Sequence, residues 1–367
     1  MDGGRPTAPI AAIAVDAFTI PTDAPESDGT LVWDATTLVV VRVDGGGHRG
    51  LGYTYADAAT ALLVHDKLAP LLAGRDAWSV NARWIDMARA IRNLGRPGIC
   101  SMAISAVDTA LWDLKARMLG VPMIDLLGAA RDAIPAYGSG GFSSYTVQRL
   151  RDQLGGWARE GLTAVKMKVG RDAAADAARV HAAREAIGDA RLFVDANGAY
   201  AREVAIEQAE RFAADDVRWF EEPVSSDDLE GLRLLRDTRP AGMAIAAGEY
   251  GYDLFYFRRM LAAGAVDAIQ ADATRCGGVT GFMDAAAVAD AFGTPLSSHC
   301  APALHVALCC AARRVIHLEW FHDHARIESM LFDGAPRPRD GLLAPDRTRP
   351  GLGLELRESD AERYRIR

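Results

Sequence analysis

Seven acidic or basic residues recur along the chain at a nearly regular interval, and their types suit acid–base and metal-binding chemistry. The separations are 27, 26, 28, 23, 27 and 20 residues, for Lys168, Asp195, Glu221, Glu249, Asp272, His299 and Glu319. Most of them lie at the end of a short apolar run. A step of about 25 residues accommodates one strand and one helix, and strand ends meet at one rim of a (β/α)₈ barrel. The spacing predicts this barrel and one site on its rim.

Three carboxylates, those of Asp195, Glu221 and Glu249, end three consecutive predicted strands. At one rim they would repel one another unless a cation lay between them. All-oxygen ligands favour a hard divalent ion, Mg²⁺ or Mn²⁺. The alternative is three unrelated surface acids, which explains one strand-end acid well but three successive ones poorly. We therefore predict a divalent metal site.

Two lysines, Lys166 and Lys168, occupy one face of their strand, where alternate residues lie roughly 6–7 Å apart. Ammonium groups about 6 Å apart repel by about 3 kcal/mol at an effective dielectric of 20, or about two pKa units. This predicts that one lysine has a lowered pKa and acts as a general base. The alternative is a pair of surface lysines around a buried Met167.

His299 and Asp272 end neighbouring predicted strands on the other side of the rim from Lys168. A carboxylate beside an imidazole fixes its tautomer and raises its basicity. His299 is therefore predicted to be a second acid/base group. The alternative is an ordinary core histidine.

Three further residues are candidates for contact with a substrate. Glu319, on the last strand, would point into the same site and hydrogen-bond an oxyanion. Asn197 shares a face with Asp195, and Ser139 ends the first strand of the barrel.

Other motifs are not assigned chemistry. The His322-Asp-His324 segment follows the last strand, where the metal ligands of His-x-His barrels do not lie. Cys300 adjoins His299, but adjacent strand residues face opposite ways, so no Cys–His nucleophile is predicted. The glycine clusters lack the spacing of a dinucleotide fingerprint.

Composition limits the classes of function. The 367 residues carry a net charge of −8 with no basic run, which argues against nucleic acid or an anionic membrane as partner. The first apolar stretch, Pro9 to Val15, is too short to span a membrane and is predicted to be a strand. Five cysteines without CxxC spacing indicate a reduced, cytoplasmic setting.

The chain divides into two predicted domains. Strands and then helices over residues 1–130 predict an α+β capping domain, with a mobile polar surface loop at 21–33. Within it, Ser101–Leu119 has helical periodicity and ends at Gly120, a C-cap residue. Strand–helix alternation over 131–345 predicts the barrel, and the tail, 346–367, is expected to return and complete the cap.

Taken together, the motifs resemble those of the enolase superfamily, specifically its mandelate racemase-like group. The resemblance covers essentially the whole chain. It rests on K-x-K at 166–168, D-x-N at 195–197, EEP at 221–223, GE at 248–249, Asp272 before CGGVTG, SSH at 297–299 and HLE at 317–319.

The resemblance implies a role for each residue. Mg²⁺ would be bound by Asp195, Glu221 and Glu249. One base would be Lys168, tuned by Lys166, and the other acid/base would be His299, oriented by Asp272. Glu319 would support an enediolate.

The implied activity is Mg²⁺-dependent removal of the α-proton of a small carboxylate substrate. Dehydration of an aldonic or aldaric acid to a 2-keto-3-deoxy acid is the preferred outcome. Racemisation or epimerisation, or cycloisomerisation of a sugar-acid lactone, are the alternatives. A non-catalytic carboxylate-binding protein is the remote one, because no motif position is missing. A homo-oligomer is also expected.

Overall fold

The computed structural model describes residues 7–366 and combines an antiparallel sheet with a closed parallel barrel. The antiparallel sheet comes first in the chain and is followed by helices, and the barrel takes up most of the remainder. The predicted fold class, a (β/α)₈ barrel with an N-terminal α+β capping unit, is confirmed.

The N-terminal sheet has the strand order β1-β2-β3, and its strands are β1 (Ile10–Ser27), β2 (Val32–Gly45) and β3 (His48–Tyr55). The helical segments that follow are α1 (Ala59–Leu63), a π-helical turn (Val64–Leu68), α2 (Ala69–Leu72), α3 (Val80–Ala90), α4 (Ile99–Leu119) and α5 (Met123–Leu127). Helix α4 packs along β2 and β3. It ends at Gly120 in a left-handed conformation, as predicted.

The close packing of β3 against α4 depends on two glycines. A Cβ at Gly50 would lie 2.1 Å from Ala110 O, and one at Gly52 would lie 2.2 Å from Ala106 O. Both distances are far inside van der Waals contact, and a main-chain oxygen cannot move aside as a side chain can. A side chain at either position would therefore push α4 away from the sheet.

Substitution of Gly52 by Ala is accordingly expected to lower the free energy of unfolding by about 1–3 kcal/mol or more, as overpacking does. Gly156→Ala is the matched control, because Gly156 lies within a helix and nothing approaches its Cβ position. That change is expected to be neutral or to stabilise by up to about 1 kcal/mol. Urea unfolding of both variants measures the difference, and equal stabilities would refute the packing argument.

The predicted surface loop at 21–33 is mostly strand, so this expectation is wrong. β1 continues to Ser27 and β2 resumes at Val32, with a pairing irregularity between Pro21 and Glu26. The end of β1 is held from outside the sheet, because Ser143 N donates to Ser27 O at 2.8 Å. The Pro- and Asp-rich composition therefore marks the irregularity and not a mobile loop.

The barrel consists of eight parallel strands, and pairing of the last with the first closes it. The strands are β4 (Ile134–Gly140), β5 (Ala164–Lys168), β6 (Arg191–Asp195), β7 (Val217–Glu221), β8 (Ala244–Ala247), β9 (Ala268–Ala271), β10 (Leu296–Ser298) and β11 (Val315–Phe321). The helices that follow them in turn are α6 (Val147–Arg159), α7 (Ala173–Ala186), α8 (Arg202–Ala213), α9 (Leu229–Thr238), α10 (Leu254–Ala262), α11 (Gly278–Ala291), α12 (Pro302–Ala311) and α13 (His322–Leu331).

The inside of the barrel is packed with side chains. Its buried cluster consists of Tyr137, Ala164, Phe193, Trp219, Ala246 and Ala268. A packed core leaves no room for a ligand, so any site must lie at a rim.

The C-terminal segment contains β12 (Phe332–Asp333), β13 (Leu342–Leu343), β14 (Glu355–Leu356) and α14 (Glu358–Glu362). It ends against β1, where Thr19 N donates to Tyr364 O and Ile366 N donates to Ala17 O, both at 2.9 Å. Within residues 7–366, no helix is long and apolar enough to cross a membrane.

Candidate active site

The seven regularly spaced residues all lie at the C-terminal rim of the barrel. Lys168, Asp195 and Glu221 are the last residues of β5, β6 and β7, and the register pairs each with the next. Three others follow the next three strands by one or two residues, and the seventh lies within β11: they are Glu249, Asp272, His299 and Glu319. All seven are at least nine-tenths buried.

The side chains of Asp195, Glu221 and Glu249 converge, with one carboxylate oxygen of each within 4.8 Å of the others. Glu249 Oε2 is buried and accepts no hydrogen bond from the described residues. Burial and repulsion by Asp195 raise the pKa of Glu221 to about 8, despite the neighbouring Lys166. Three converging buried carboxylates of this kind favour binding of a cation. The all-oxygen donor set fits a hard divalent ion.

The two lysines are held as ammonium groups. Lys168 Nζ lies 2.5 Å from Asp195 Oδ2 and 3.0 Å from Asn197 Oδ1. Lys166 Nζ lies 2.5 Å from Glu221 Oε1 and 2.8 Å from Glu319 Oε1. Burial alone would lower the pKa of Lys168, but the surrounding carboxylates, Asp195 foremost, together outweigh burial and raise it. The predicted lowering of a lysine pKa by repulsion between the two lysines is therefore wrong, because the attraction of Lys168 to Asp195 exceeds its repulsion by Lys166.

His299 and Asp272 form a hydrogen-bonded pair, with His299 Nδ1 2.9 Å from Asp272 Oδ2. Asp272 is itself held by Thr274, whose N and Oγ1 both donate to Oδ1 at 2.7 Å. This arrangement assigns the proton to Nδ1 and leaves Nε2 as the reactive nitrogen, 3.4 Å from Glu249 Oε2. Burial would lower the pKa of His299, but the Glu249 and Asp272 carboxylates raise it.

Glu319 and Asn197 contact the same group of side chains, whereas Ser139 does not. Glu319 Oε2 accepts from Cys300 N at 2.7 Å. Burial would raise the pKa of Glu319, but Lys166 lowers it. Asn197 has φ +47° and its N donates to Asp195 Oδ1 at 2.9 Å. Ser139 Oγ is fully buried on β4, without a hydrogen-bond partner in the described chain.

The arrangement of Cys300 contradicts the sequence argument. β10 ends at Ser298, so strand alternation no longer applies, and Cys300 and Ala301 have φ of +53° and +39°. The turn brings Cys300 Sγ to 3.2 Å from His299 Nε2. Burial and the nearby carboxylates raise the pKa of this thiol well above its usual value, which keeps it protonated and a poor nucleophile.

Neither histidine of the His322-Asp-His324 segment reaches the three carboxylates. His322 Nε2 lies 3.0 Å from Asp23 Oδ2 on β1. His324 stacks on Tyr55 with ring centroids 3.4 Å apart, and its Nδ1 accepts from Ala301 N at 3.2 Å. Both connect the capping sheet to the barrel.

A cavity of about 400 Å³ lies between the capping sheet and this rim. From the barrel it is lined by Lys168, Asp272, Thr274, Arg275, His299, Cys300, Phe321 and His324, and from the cap by Trp33, Ala35, Thr36, Thr37, Tyr55, Ala56 and Asp57. Sequence reasoning missed several of these residues: Thr274, Arg275 and Phe321 of the barrel, and Ala35, Thr36, Thr37, Tyr55, Ala56 and Asp57 of the cap. The alternation of side chains along β2 predicts that the strand has two faces, but it does not show which face meets the barrel.

Trp33 is positioned in the cavity wall by Glu26, because its Nε1 donates to Glu26 Oε2 at 2.8 Å. Glu26 is fully buried and its Oε1 has no hydrogen-bond partner among the described residues. Burial and repulsion by Asp323 raise the pKa of Glu26 to about 8, against the opposing effect of the Trp33 hydrogen bond.

The raised pKa of Glu26 makes folding favour the protonated acid. This stability contribution is complete below the unfolded pKa of 4.5 and is lost as the pH rises through about 8. Glu26→Gln, which cannot ionise, is therefore expected to gain thermal stability relative to wild type between pH 5 and pH 8.5. Parallel melting curves measure the gain, with the exposed Glu185→Gln as control, and a difference that does not change with pH would contradict the prediction.

Comparison with known proteins agrees with the fold. The family model described as mandelate racemase / muconate lactonizing enzyme, N-terminal domain matches residues 19–128, and the model described as enolase C-terminal domain-like matches residues 149–360. The chain belongs to the enolase superfamily, in its mandelate racemase-like group.

Three relatives indicate the range of this similarity. A mandelate racemase/muconate lactonizing enzyme-like protein from Rubrobacter xylanophilus has a solved structure that is 53% identical, with a TM-score of 0.95 over 98% of this chain and 100% of that one. The 3,6-anhydro-alpha-L-galactonate cycloisomerase of Streptomyces coelicolor is 35% identical over 94% of this chain and 96% of its own length.

The third relative is the L-talarate/galactarate dehydratase of Salmonella typhimurium. It is 33% identical over 85% of this chain and 78% of its own length. Its solved structure with Mg and L-lyxarohydroxamate covers 100% of this chain and 96% of that one, at 27% identity and a TM-score of 0.90.

Proposed function

We propose that this chain removes the α-proton of a sugar acid and dehydrates the acid to a 2-keto-3-deoxy acid. The observation that carries the proposal is that two proton-transfer groups line one cavity and each contacts the carboxylate cluster. Lys168 contacts Asp195, and His299 Nε2 lies beside Glu249. A substrate carboxylate at the cluster would therefore place its α-carbon near both groups.

The residues that would hold Mg²⁺ are Asp195, Glu221 and Glu249. When bound, the ion would hold the substrate carboxylate and offset the negative charge of an enediolate. Support comes from the three-carboxylate donor set and from the Mg present in the structure of the Salmonella dehydratase.

The protein side chains then move two protons. Lys168, after losing its own proton, or His299 takes the α-proton, and Glu319 hydrogen-bonds the enediol oxygen. His299 donates a proton to the β-hydroxyl, which leaves as water with the electrons of its C–O bond. The resulting enol takes up a proton at C3 and becomes the 2-keto-3-deoxy acid. Each positioned acid or base of this kind raises the reaction rate by about 10²–10⁴-fold.

Cycloisomerisation is a second candidate, favoured by the 35% identical cycloisomerase. In that reaction the leaving oxygen belongs to a ring of the substrate, so no water is released. The same two groups would serve, since the β-oxygen still departs after the α-proton is removed.

The charges in the cavity favour a monocarboxylate over an aldaric diacid. The lysine and arginine side chains that line the cavity are those of Lys168 and Arg275, and both are already paired with carboxylates of the protein. Arg275 lies 3.4 Å from Glu249 Oε1 and 3.7 Å from Asp272 Oδ2. A second carboxylate would instead meet hydroxyls such as that of Thr36 and the acid Asp57.

We therefore expect an aldonic or anhydro-aldonic acid to react at least about tenfold faster, in kcat/KM, than its aldaric counterpart. The experiment is ¹H NMR in D₂O with Mg²⁺ and a panel of aldonic, aldaric and 3,6-anhydro sugar acids, with the Lys168→Ala, His299→Asn double variant as control. Loss of the α-proton with growth of a C3 methylene supports dehydration, whereas ring opening without water loss supports cycloisomerisation. No α-proton loss from any acid would count against the proposal.

A further inference from the structure

A second set of metal-binding atoms overlaps the proton-transfer site. One ligand atom each of His299, Cys300 and Glu319 lies within 4.8 Å of the other two, and all three residues are buried. Sγ is 3.2 Å from His299 Nε2, which is 4.0 Å from Glu319 Oε2. We propose that these three side chains form a binding site for a thiophilic divalent cation, Zn²⁺, and that its occupancy blocks the acid/base group.

The donor set is the first argument. Imidazole nitrogen, thiolate sulfur and carboxylate oxygen are all Zn²⁺ ligands, and three protein ligands with an open fourth position are usual when Zn²⁺ also binds small molecules. Around tetrahedral Zn²⁺ these atoms stand about 3.3–3.6 Å apart, from bond lengths of about 2.0–2.3 Å. The Sγ–Nε2 distance of 3.2 Å lies just below this range, and the Nε2–Oε2 distance of 4.0 Å lies above it. The adjacent all-carboxylate cluster favours Mg²⁺ instead, so the two sets separate cations by softness.

The surroundings of these ligands are the second argument. Asp272 accepts from His299 Nδ1 and so directs Nε2 towards the sulfur, as outer carboxylates do for zinc-bound histidines. Glu319 is held by Lys166 and by the backbone N of Cys300. His299 and Cys300 also line the cavity, which provides a path for the ion and room for a fourth ligand.

Binding of Zn²⁺ replaces the S–H bond of Cys300 by a sulfur–zinc bond, and no oxidation or reduction takes place. The thiol releases its proton to solvent and the sulfur binds the cation, so binding is expected to weaken as the pH falls. Occupied Nε2 has no lone pair for a substrate proton. Inhibition by Zn²⁺ should therefore compete with the sugar acid. This last consequence rests on the proposed function, whereas binding itself does not.

The binding test uses Co²⁺ as a spectroscopic probe and Zn²⁺ as the ligand, both titrated into the full chain saturated with Mg²⁺. We expect thiolate-to-cobalt charge-transfer absorption that saturates at one thiolate-bound Co²⁺ per chain, besides any Co²⁺ that replaces Mg²⁺ at the carboxylates, and displacement of that absorption by Zn²⁺. Cys300→Ser should lose the absorption and lower Zn²⁺ affinity by at least about 10–100-fold, the scale of losing a supporting interaction. Cys310→Ser, a buried cysteine of α12 outside the cavity, should keep both.

Cys300→Ala and His299→Asn provide a second route if Cys300→Ser does not fold, because each removes a different ligand and should also abolish the absorption. Absorption that persists without Cys300, or that never forms in wild type, would overturn the site. Zn²⁺ inhibition of 2-keto-3-deoxy acid formation that is equally strong in a folded Cys300 variant would overturn the blocking role. If the chain proves inactive with every acid, the cobalt signal still tests the site.

Discussion

Substitution of His299 by Asn is expected to abolish dehydration, with kcat lowered by about 10²–10⁴-fold. The asparagine amide can still hydrogen-bond Asp272, so the local fold should survive. What it lacks is a nitrogen that can give a proton to the departing hydroxyl. The measurement is the rate of 2-keto-3-deoxy acid formation, with His181→Asn as a surface control, since His181 is exposed on α7.

The same variant separates the two proton-transfer steps. If Lys168 removes the α-proton, His299→Asn retains exchange of that proton with D₂O while Lys168→Ala loses it. If Lys168→Ala keeps exchange and His299→Asn loses it, His299 is the base. Full dehydration by His299→Asn would contradict the acid role of the imidazole.

Substitution of Glu221 by Gln is expected to remove the Mg²⁺-dependent part of thermal stability. A ligand at 100 times its Kd adds about 2.7 kcal/mol to the free energy of unfolding. Each kcal/mol raises Tm by about 2–4 °C in a chain of 150–250 residues, and by less in a longer chain. Wild type should therefore melt several degrees higher with Mg²⁺ than with a chelator. In Glu221→Gln this difference should vanish, because one anionic oxygen ligand is lost.

Two comparisons make this result specific. Glu207→Gln changes an exposed glutamate that pairs with Arg211 on α8 and should keep the full Mg²⁺ effect. Melting without metal should also be compared, because Lys166 loses one of its carboxylate partners in Glu221→Gln. An unchanged Mg²⁺ shift in Glu221→Gln, or none in wild type, would count against the three-carboxylate site.

The repeating strand-end positions could be predicted because they depend on local pattern. A step of about 25 residues and an apolar run before each polar residue are enough to place Lys168, Asp195 and Glu221 at strand ends. Parallel strands in register then bring neighbouring ends together whatever the helices between them contain. Neither step requires knowledge of distant contacts.

The extent of β1 and the cavity wall depend on distant parts of the chain. Ser27 is held by Ser143 of the barrel, and Trp33 lines the cavity at the candidate active site only because the capping sheet is docked on the rim. A polar segment with two prolines looks like a loop when its partners are unknown.

By itself, then, the sequence determined the barrel, the rim and the residue types that meet there. Only the tertiary structure decided the protonation states of these residues and the side chains from other parts of the chain that contact them. The pKa of Lys168 is raised chiefly because the Asp195 carboxylate lies 2.5 Å away. The sequence argument considered only the spacing of the two lysines on one strand and therefore predicted a lowered pKa. Cys300 meets His299 because the chain turns with positive φ between β10 and α12. Charge and turn geometry act over the few ångströms that folding brings together, and sequence spacing does not record those distances.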